Sequence, residues 1–214
     1  MTEIVVDNHL IVQDFDSTNI DIIEYRRRPL LVLDLDETLI KSFSDPLEHP
    51  FDFFVCDMYV YKRPFLEYFL KTVSIKYDIA IWSAGGSEYV KQVVEHIIPK
   101  NVYVQFVYSK NQCEYSLINE TLQLIKPLSK IYKYNYDNMI IIDDNGDLTR
   151  ENHQHCIIPE KYNGTQYDCE LINILYYLDY ILAYPDFKVM PHREWRQIVD
   201  LVINQIDISV LNEF

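Results

Sequence analysis

Three short, wholly apolar runs, each ending in a polar cluster, constrain the fold of this chain more than any other feature. Leu30-Leu-Val-Leu33 runs into Asp34-Leu-Asp36-Glu-Thr38, Ile79-Ala-Ile-Trp82 into Ser83-Ala-Gly-Gly86, and Met139-Ile-Ile-Ile142 into Asp143-Asp144-Asn145-Gly146. A run with no polar face suits a strand covered on both sides, as in a parallel sheet. Between the runs the apolar spacing becomes helical: Phe65, Leu66, Phe69, Leu70 and Val73 form one stripe, and Val90, Val93, Val94, Ile97 and Ile98 another. Strands alternating with helices predict an α/β fold, a parallel sheet flanked by helices and joined by right-handed crossovers. Ligands of such sheets bind beyond the carboxyl ends of the strands, so the three polar clusters should converge on one crevice.

The remaining elements fit around this frame. Residues 51–61 read as a hairpin turning at Cys56-Asp57. Val102 to Val107 and Cys156 to Ile158 read as further strands. Pro64 is expected at the first position of the first helix, Ser87 as the cap of the second, and Asp168 as the cap of a third carrying Leu171, Leu175, Leu178 and Leu182. Trp195, Ile198, Val199, Val202, Ile203 and Ile206 mark the apolar face of a last helix.

With 214 residues, 49% of them hydrophobic, the chain has enough apolar material for one well-packed domain. Its 19 Lys and Arg against 33 Asp and Glu leave a net charge of −14, which repels nucleic acid and anionic membrane and favours neutral or basic peptide partners. The run Arg26-Arg27-Arg28 reads as a solvated strand entrance. Cys56, Cys113, Cys156 and Cys169 form no CxxC pair, so a zinc site is not expected. The amino terminus has no signal-peptide pattern, and Asn119-Glu-Thr and Asn163-Gly-Thr are read as chance matches to a glycosylation site. These features predict an intracellular protein, in nucleus or cytoplasm, with reduced thiols.

The clusters carry the residue types that phosphoryl transfer requires. Asp34, at a strand tip, is placed to act as a nucleophile, forming an acyl phosphate that water later hydrolyses. Asp36 can protonate the leaving oxygen and then activate that water. Thr38 can offer its hydroxyl and N–H to the phosphate, and Ser83, ahead of two glycines, can do the same. Acidic groups beside a phosphate dianion demand a cation, and the oxygen donors are of the kind magnesium prefers. The Asp34 carboxylate, the Asp36 carbonyl and Asp144 are the expected ligands, with Asp143 behind them orienting ligands or water. Taken singly, Asp143 to Gly146 reads equally well as a plain turn, Ser83 reads better as a loop serine capping a helix, and the Asp34 to Thr38 pattern arises by chance fairly often; together they point to one site.

Leu30-Leu-Val-Leu-Asp-Leu-Asp-Glu-Thr-Leu39 resembles the first motif of the haloacid dehalogenase superfamily, and more narrowly that of its FCP/SCP-type RNA polymerase II C-terminal-domain phosphatases. Lys62-Arg-Pro64, Ile81-Trp-Ser-Ala-Gly85, Lys126-Pro-Leu-Ser-Lys130 and Ile142-Asp-Asp144 follow in that family's order. The resemblance covers roughly residues 29–183. It implies a Rossmann-like domain, magnesium, and hydrolysis of phosphoserine or phosphothreonine on a protein, with the polymerase tail among the substrates to be considered. It also implies a role for Lys126, neutralising charge on the phosphoryl group. The expected organisation is an extension over 1–28, the phosphatase domain over 29–185 with a short hairpin insert at 41–63, and a helical extension over 186–214. The small insert favours a protein over a small metabolite as substrate. A non-catalytic binding module, as in the related mitochondrial import-receptor domain, is the other reading.

Overall fold

The computed structural model describes residues 28–118, 120–183 and 190–211. Arg26 and Arg27, the Asn119 of the glycosylation pattern and the boundary expected at 185 lie outside them. The apolar runs form the strands expected of them: β1 (Leu30–Leu33), β5 (Asp78–Trp82) and β9 (Met139–Ile142). With β6 (Val104–Tyr108) and β10 (Cys156–Ile157) they make a five-stranded parallel sheet in the order β10-β9-β1-β5-β6. β1 is central, with Leu33 opposite both Ile81 and Ile142, so the three polar clusters leave the sheet at the same level.

Burial on both faces explains the unbroken apolar runs. Leu31, Leu33, Ile79, Ile81, Ile140 and Ile142 pack in one cluster with the apolar faces of the helices α1 (Leu66–Lys76), α2 (Ser87–Ile97), α3 (Glu170–Leu182) and α4 (Trp195–Leu211). The alternate residues Leu30, Val32, Ala80, Trp82, Met139 and Ile141 pack on the other face, against Leu128 and Ile131 of connecting segments. Truncating any of the leucines or isoleucines among them to alanine opens a cavity and costs about 2–5 kcal/mol. Trp195 and Val199 of α4 belong to the helical-side core, and the Trp195 indole N–H donates to the Ile158 carbonyl at 3.0 Å.

Several local expectations differ from the structure. α1 starts at Leu66 after Phe65 in the left-handed region (φ 66°), two residues later than Pro64 suggests. Ser87 is the first helical residue of α2, and Gly86 occupies the cap without a side-chain bond. Asp168 does accept the Glu170 N–H at 2.9 Å, but Cys169 holds the cap position. The strand expected from Val102 begins at Val104, and the one expected to end at Ile158 ends at Ile157.

The predicted hairpin is β3 (Phe53–Val55) and β4 (Met58–Lys62), and its turn holds Cys56 and Asp57 at φ 47° and 59°. A third strand, β2 (Ile40–Phe43), pairs with β4. It is not the only insertion near the crevice, since β7 (Glu114–Ile118) and β8 (Thr121–Ile125) form a separate antiparallel pair running directly into Lys126. No helix among the described residues is long and apolar enough to cross a membrane.

Candidate active site

The first polar cluster is a tight turn. The N–H groups of Thr38, Leu39 and Ile40 all point at the Leu35 carbonyl, and Glu37 sits at φ 66°. This bend ties Asp34 to the sheet, where its N–H donates to the Ile142 carbonyl at 3.0 Å, and swings Thr38 back over β9. The Thr38 hydroxyl donates to Asp144 Oδ1 and accepts the Asp144 N–H, each at 3.1 Å.

Lys126 lies at the centre. Its side chain is fully buried, and its Nζ donates to Asp34 Oδ1 at 2.5 Å and to Asp143 Oδ2 at 2.6 Å. Burial alone would strip its proton, but Asp143 and Asp34 outweigh that and raise its pKa, so it stands as an ammonium. Its backbone is held by the Leu148 carbonyl and by the Asn152 side chain, which donates to the Lys126 carbonyl and accepts the Leu128 N–H.

Oxygens of Asp34, Asp143 and Asp144, all buried, lie within 4.8 Å of one another. One buried ammonium among these carboxylates leaves the cluster short of positive charge. Burial pushes the Asp34 carboxyl well up; Lys126 opposes this, while Asp143 and Asp144 reinforce it. Asp144 is raised by burial and by Asp143, against Lys161 and Thr38. The cluster is thus a set of hard oxygen donors with unbalanced charge, the surroundings a magnesium ion fits. Asp143 is already engaged at both oxygens, by Lys126 and by the Asn145 N–H at 2.9 Å.

The structure therefore brings Asp34, Thr38, Lys126, Asp143 and Asp144 together as two adjacent bonded groups, Lys126 with Asp34 and Asp143, and Thr38 with Asp144. Asp36 and Ser83 stand at their edge. Asp36 Oδ1 accepts from the Tyr89 hydroxyl at 2.6 Å and from Ser42 at 3.3 Å, and the Ser83 hydroxyl accepts the Gly85 N–H at 2.9 Å. Sequence reasoning missed Tyr89, Ser42 and Asn152. Arg63 stood there only as part of the Lys62-Arg-Pro64 motif, with no role attached. In the structure its buried guanidinium donates to both oxygens of Asp168 and to the carbonyls of Thr38 and Glu160. Lys161 reaches in from the rim, 3.2 Å from Asp144 and 3.0 Å from Glu37.

Comparison with known proteins bears on what this network is for. A family model described as NLI interacting factor-like phosphatase matches residues 29–188. The chain belongs to this family. It is thus an FCP/SCP-like member of the haloacid dehalogenase superfamily. Among curated relatives, the mitochondrial import inner membrane translocase subunit TIM50 of Candida albicans is 30% identical over 168 residues, covering 78% of this chain and 33% of its own length. A probable C-terminal domain small phosphatase of Dictyostelium discoideum is 27% identical, covering 75% of this chain and 53% of its own length. The chain thus spans between about a third and about half of these relatives. A solved structure of Fcp1, an essential RNA polymerase II CTD phosphatase, aligns over 83% of this chain and 62% of its own with a TM-score of 0.51 and 18% identity, a likeness of fold.

Proposed function

We propose that this chain is a magnesium-dependent phosphatase of serine- or threonine-phosphorylated proteins, working through an acyl phosphate on Asp34. The observation that carries the reading is the buried Asp34–Lys126–Asp143 cluster at the end of the central strand, with Asp144 beside it. An ion network so short of positive charge is costly for a fold to keep, and such perturbed groups gather where chemistry is done.

With Asp34 Oδ1 bonded to Lys126, Oδ2 is the attacking oxygen. A bond forms from Oδ2 to phosphorus as the bond from phosphorus to the serine oxygen breaks, and Asp36 gives that leaving oxygen a proton. Asp36, now a carboxylate, takes a proton from a water that attacks the acyl phosphate and releases Asp34. Tyr89 and Ser42 hold Asp36 in line for both transfers. Lys126, Thr38 and Ser83 hold the phosphoryl oxygens. Asp34, the Asp36 carbonyl and Asp144 would bind the magnesium ion, with Asp143 steadying Lys126 and the loop. The bound ion supplies positive charge opposite the phosphoryl oxygens.

The exposed aromatic surface supports a peptide substrate. Phe54 and Phe51 remain open and lie edge-on to Tyr59, whereas Phe53 stacks on His96 of α2 and Tyr61 is buried. A phosphoserine peptide should therefore exceed sugar phosphates in kcat/KM by about tenfold or more. The deciding experiment compares the wild type with Asp34→Asn on an aryl phosphate and on phosphopeptides, with magnesium and with a chelator. The variant should fold normally and lose about 10³-fold or more in turnover. Hydrolysis by Asp34→Asn at near wild-type rates, or full activity in chelator, would defeat the mechanism. The TIM50 relative favours a second reading, a binding module without turnover; phosphopeptide binding with no hydrolysis under any metal would select it.

A further inference from the structure

Beside the acidic cluster, on the outer side of Asp144, lies a cavity of 680 Å³ walled by Asp144, Gly146, Asp147, Arg150, Lys161 and Arg193. Asp34 is not part of its wall. Three cations meet here in a chain whose net charge is −14. Lys161 is tied to Asp144 and Glu37. Neither Arg150 nor Arg193 has an ion-pair partner among the described residues, although Arg196, close by in sequence, is paired with Glu170 and Glu160. Of the two carboxylates in the wall, Asp144 is bonded to Thr38 and Lys161, and Asp147 is exposed.

The segments that carry the two arginines are set by the fold, while both side chains are exposed and free to take an anion. Arg150 starts the 3-10 segment Arg150–His155, whose Asn152 also fixes the Lys126 backbone. Arg193 is in the 3-10 turn His192–Glu194, immediately before Trp195, whose indole is anchored on the Ile158 carbonyl. The Arg193 guanidinium sits so close to the Asp143–Gly146 loop that a Cβ on Gly146 would lie 4.0 Å from it. Arg193 also falls beyond residue 188, where the family match ends.

We propose that this cavity is a second anion subsite, which binds a phosphate group carried by the substrate chain a few residues from the one being hydrolysed. The inference rests on the phosphatase reading above and adds a substrate class to it: multiply phosphorylated peptides. Guanidinium forks match the oxygens of a phosphate in pairs, and clusters of unpaired arginines are how proteins read phosphorylated segments. The scissile phosphate belongs at Asp34, outside this wall, so the cavity takes a different phosphate. The local charge here reverses the preference for neutral or basic peptides that the net charge alone suggests.

The test uses peptides carrying one phosphoserine, two phosphoserines, or one phosphoserine and a glutamate in the second position. An extended chain advances ~3.3 Å per residue, so the second group is placed roughly two to four residues away on either side. In the wild type, kcat/KM for at least one doubly phosphorylated peptide should exceed that of its singly phosphorylated parent by about tenfold, mostly through KM. Arg150→Ala with Arg193→Ala should bring that ratio close to one and leave aryl phosphate hydrolysis and Tm unchanged. A ratio near one in the wild type at every spacing, an equal gain from glutamate, or a preference that survives the double substitution would each overturn the subsite. Binding of the labelled peptides to Asp34→Asn, by fluorescence anisotropy, separates this from the phosphatase reading. If no peptide is turned over but the doubly phosphorylated one binds more tightly in an Arg150- and Arg193-dependent way, the subsite stands and the catalytic proposal falls.

Discussion

The buried ion networks around Arg63 and Lys126 lie on either side of Thr38, and they are built on opposite principles. Around Arg63, every charge is answered: the guanidinium is spent on both oxygens of Asp168 and on two backbone carbonyls. Around Lys126, carboxylates outnumber the ammonium, and burial pushes Asp34 and Asp144 up. Arg63 ties the Thr38 turn to the segment before α3, so it is a clamp; Lys126 leaves charge unsatisfied, so it is a receiver for a cation and a phosphate. A buried ion network with its charges matched serves the fold, whereas one left unmatched marks where a ligand completes the balance.

The sharpest way to break this contrast is to neutralise each cation in turn. Lys126→Met removes a group that would contact the phosphoryl oxygens, and turnover should fall by about 10²–10³-fold, as when one charge-stabilising donor is lost. Turnover is read well below the unfolding midpoint of each protein, so that both are compared in the folded state. Turnover within a few fold of wild type would remove Lys126 from the chemistry.

Arg63→Met should do the reverse. It strands Asp168 and two carbonyls in surroundings where the guanidinium itself has no exposure. A loss of about 3 kcal/mol in unfolding free energy is expected, read by urea denaturation. Activity measured well below the unfolding midpoint should fall less than for Lys126→Met. A loss below about 0.5 kcal/mol would show that the clamp is idle.

The asymmetry between the two networks also marks what was legible in the sequence. β1, β5 and β9 were readable because strands covered on both faces carry no polar residues. β2 was not, since Ile40-Lys-Ser-Phe43 is buried only at its first residue and carries no clear pattern. The β7–β8 pair escaped because Tyr115, Leu117 and Leu122 are exposed, so alternation there does not report a core. At the site, Asp34, Asp143 and Asp144 could be found because each follows an apolar run. Lys126 follows none, and its place came only from family resemblance. Tyr89, Asn152 and the partner of Arg63 act across long stretches of chain, 53 residues in the Tyr89–Asp36 bond and 105 in the Arg63–Asp168 pair. No local pattern signals such contacts.

Within the unmatched network the two neighbouring aspartates should differ by a smaller margin. Asp143 is bonded to Lys126 and Asn145, while Asp144 faces Thr38 and the rim. Asp144→Asn should therefore raise the magnesium concentration needed for half-maximal thermal stabilisation by about tenfold, and Asp143→Asn by less. The reverse order would mean that Asp143 is the ligand and Asp144 the support.

The smallest effect belongs to a third network, at the surface, and it tests whether burial is what separates the other two. Glu37 bonds Lys41 at 2.6 Å and Lys161 at 3.0 Å, with 31% of its side chain exposed. These hydrogen bonds lower its pKa, most of all the one from Lys41. A carboxyl whose folded value is lowered adds stability above its unfolded value of about 4.3, and that stability fades as pH falls through the folded value. Solvent and salt screen the pairs, so Glu37→Gln should cost less than about 1 kcal/mol at pH 7. Glutamine keeps a side chain at the left-handed position, so backbone strain is the same in both proteins. The difference in unfolding free energy between wild type and variant should shrink as pH drops below about 4 and should also shrink in high salt. A cost of several kcal/mol, insensitive to salt, would place Glu37 with Arg63 as a structural clamp and would show that exposure does not divide these networks.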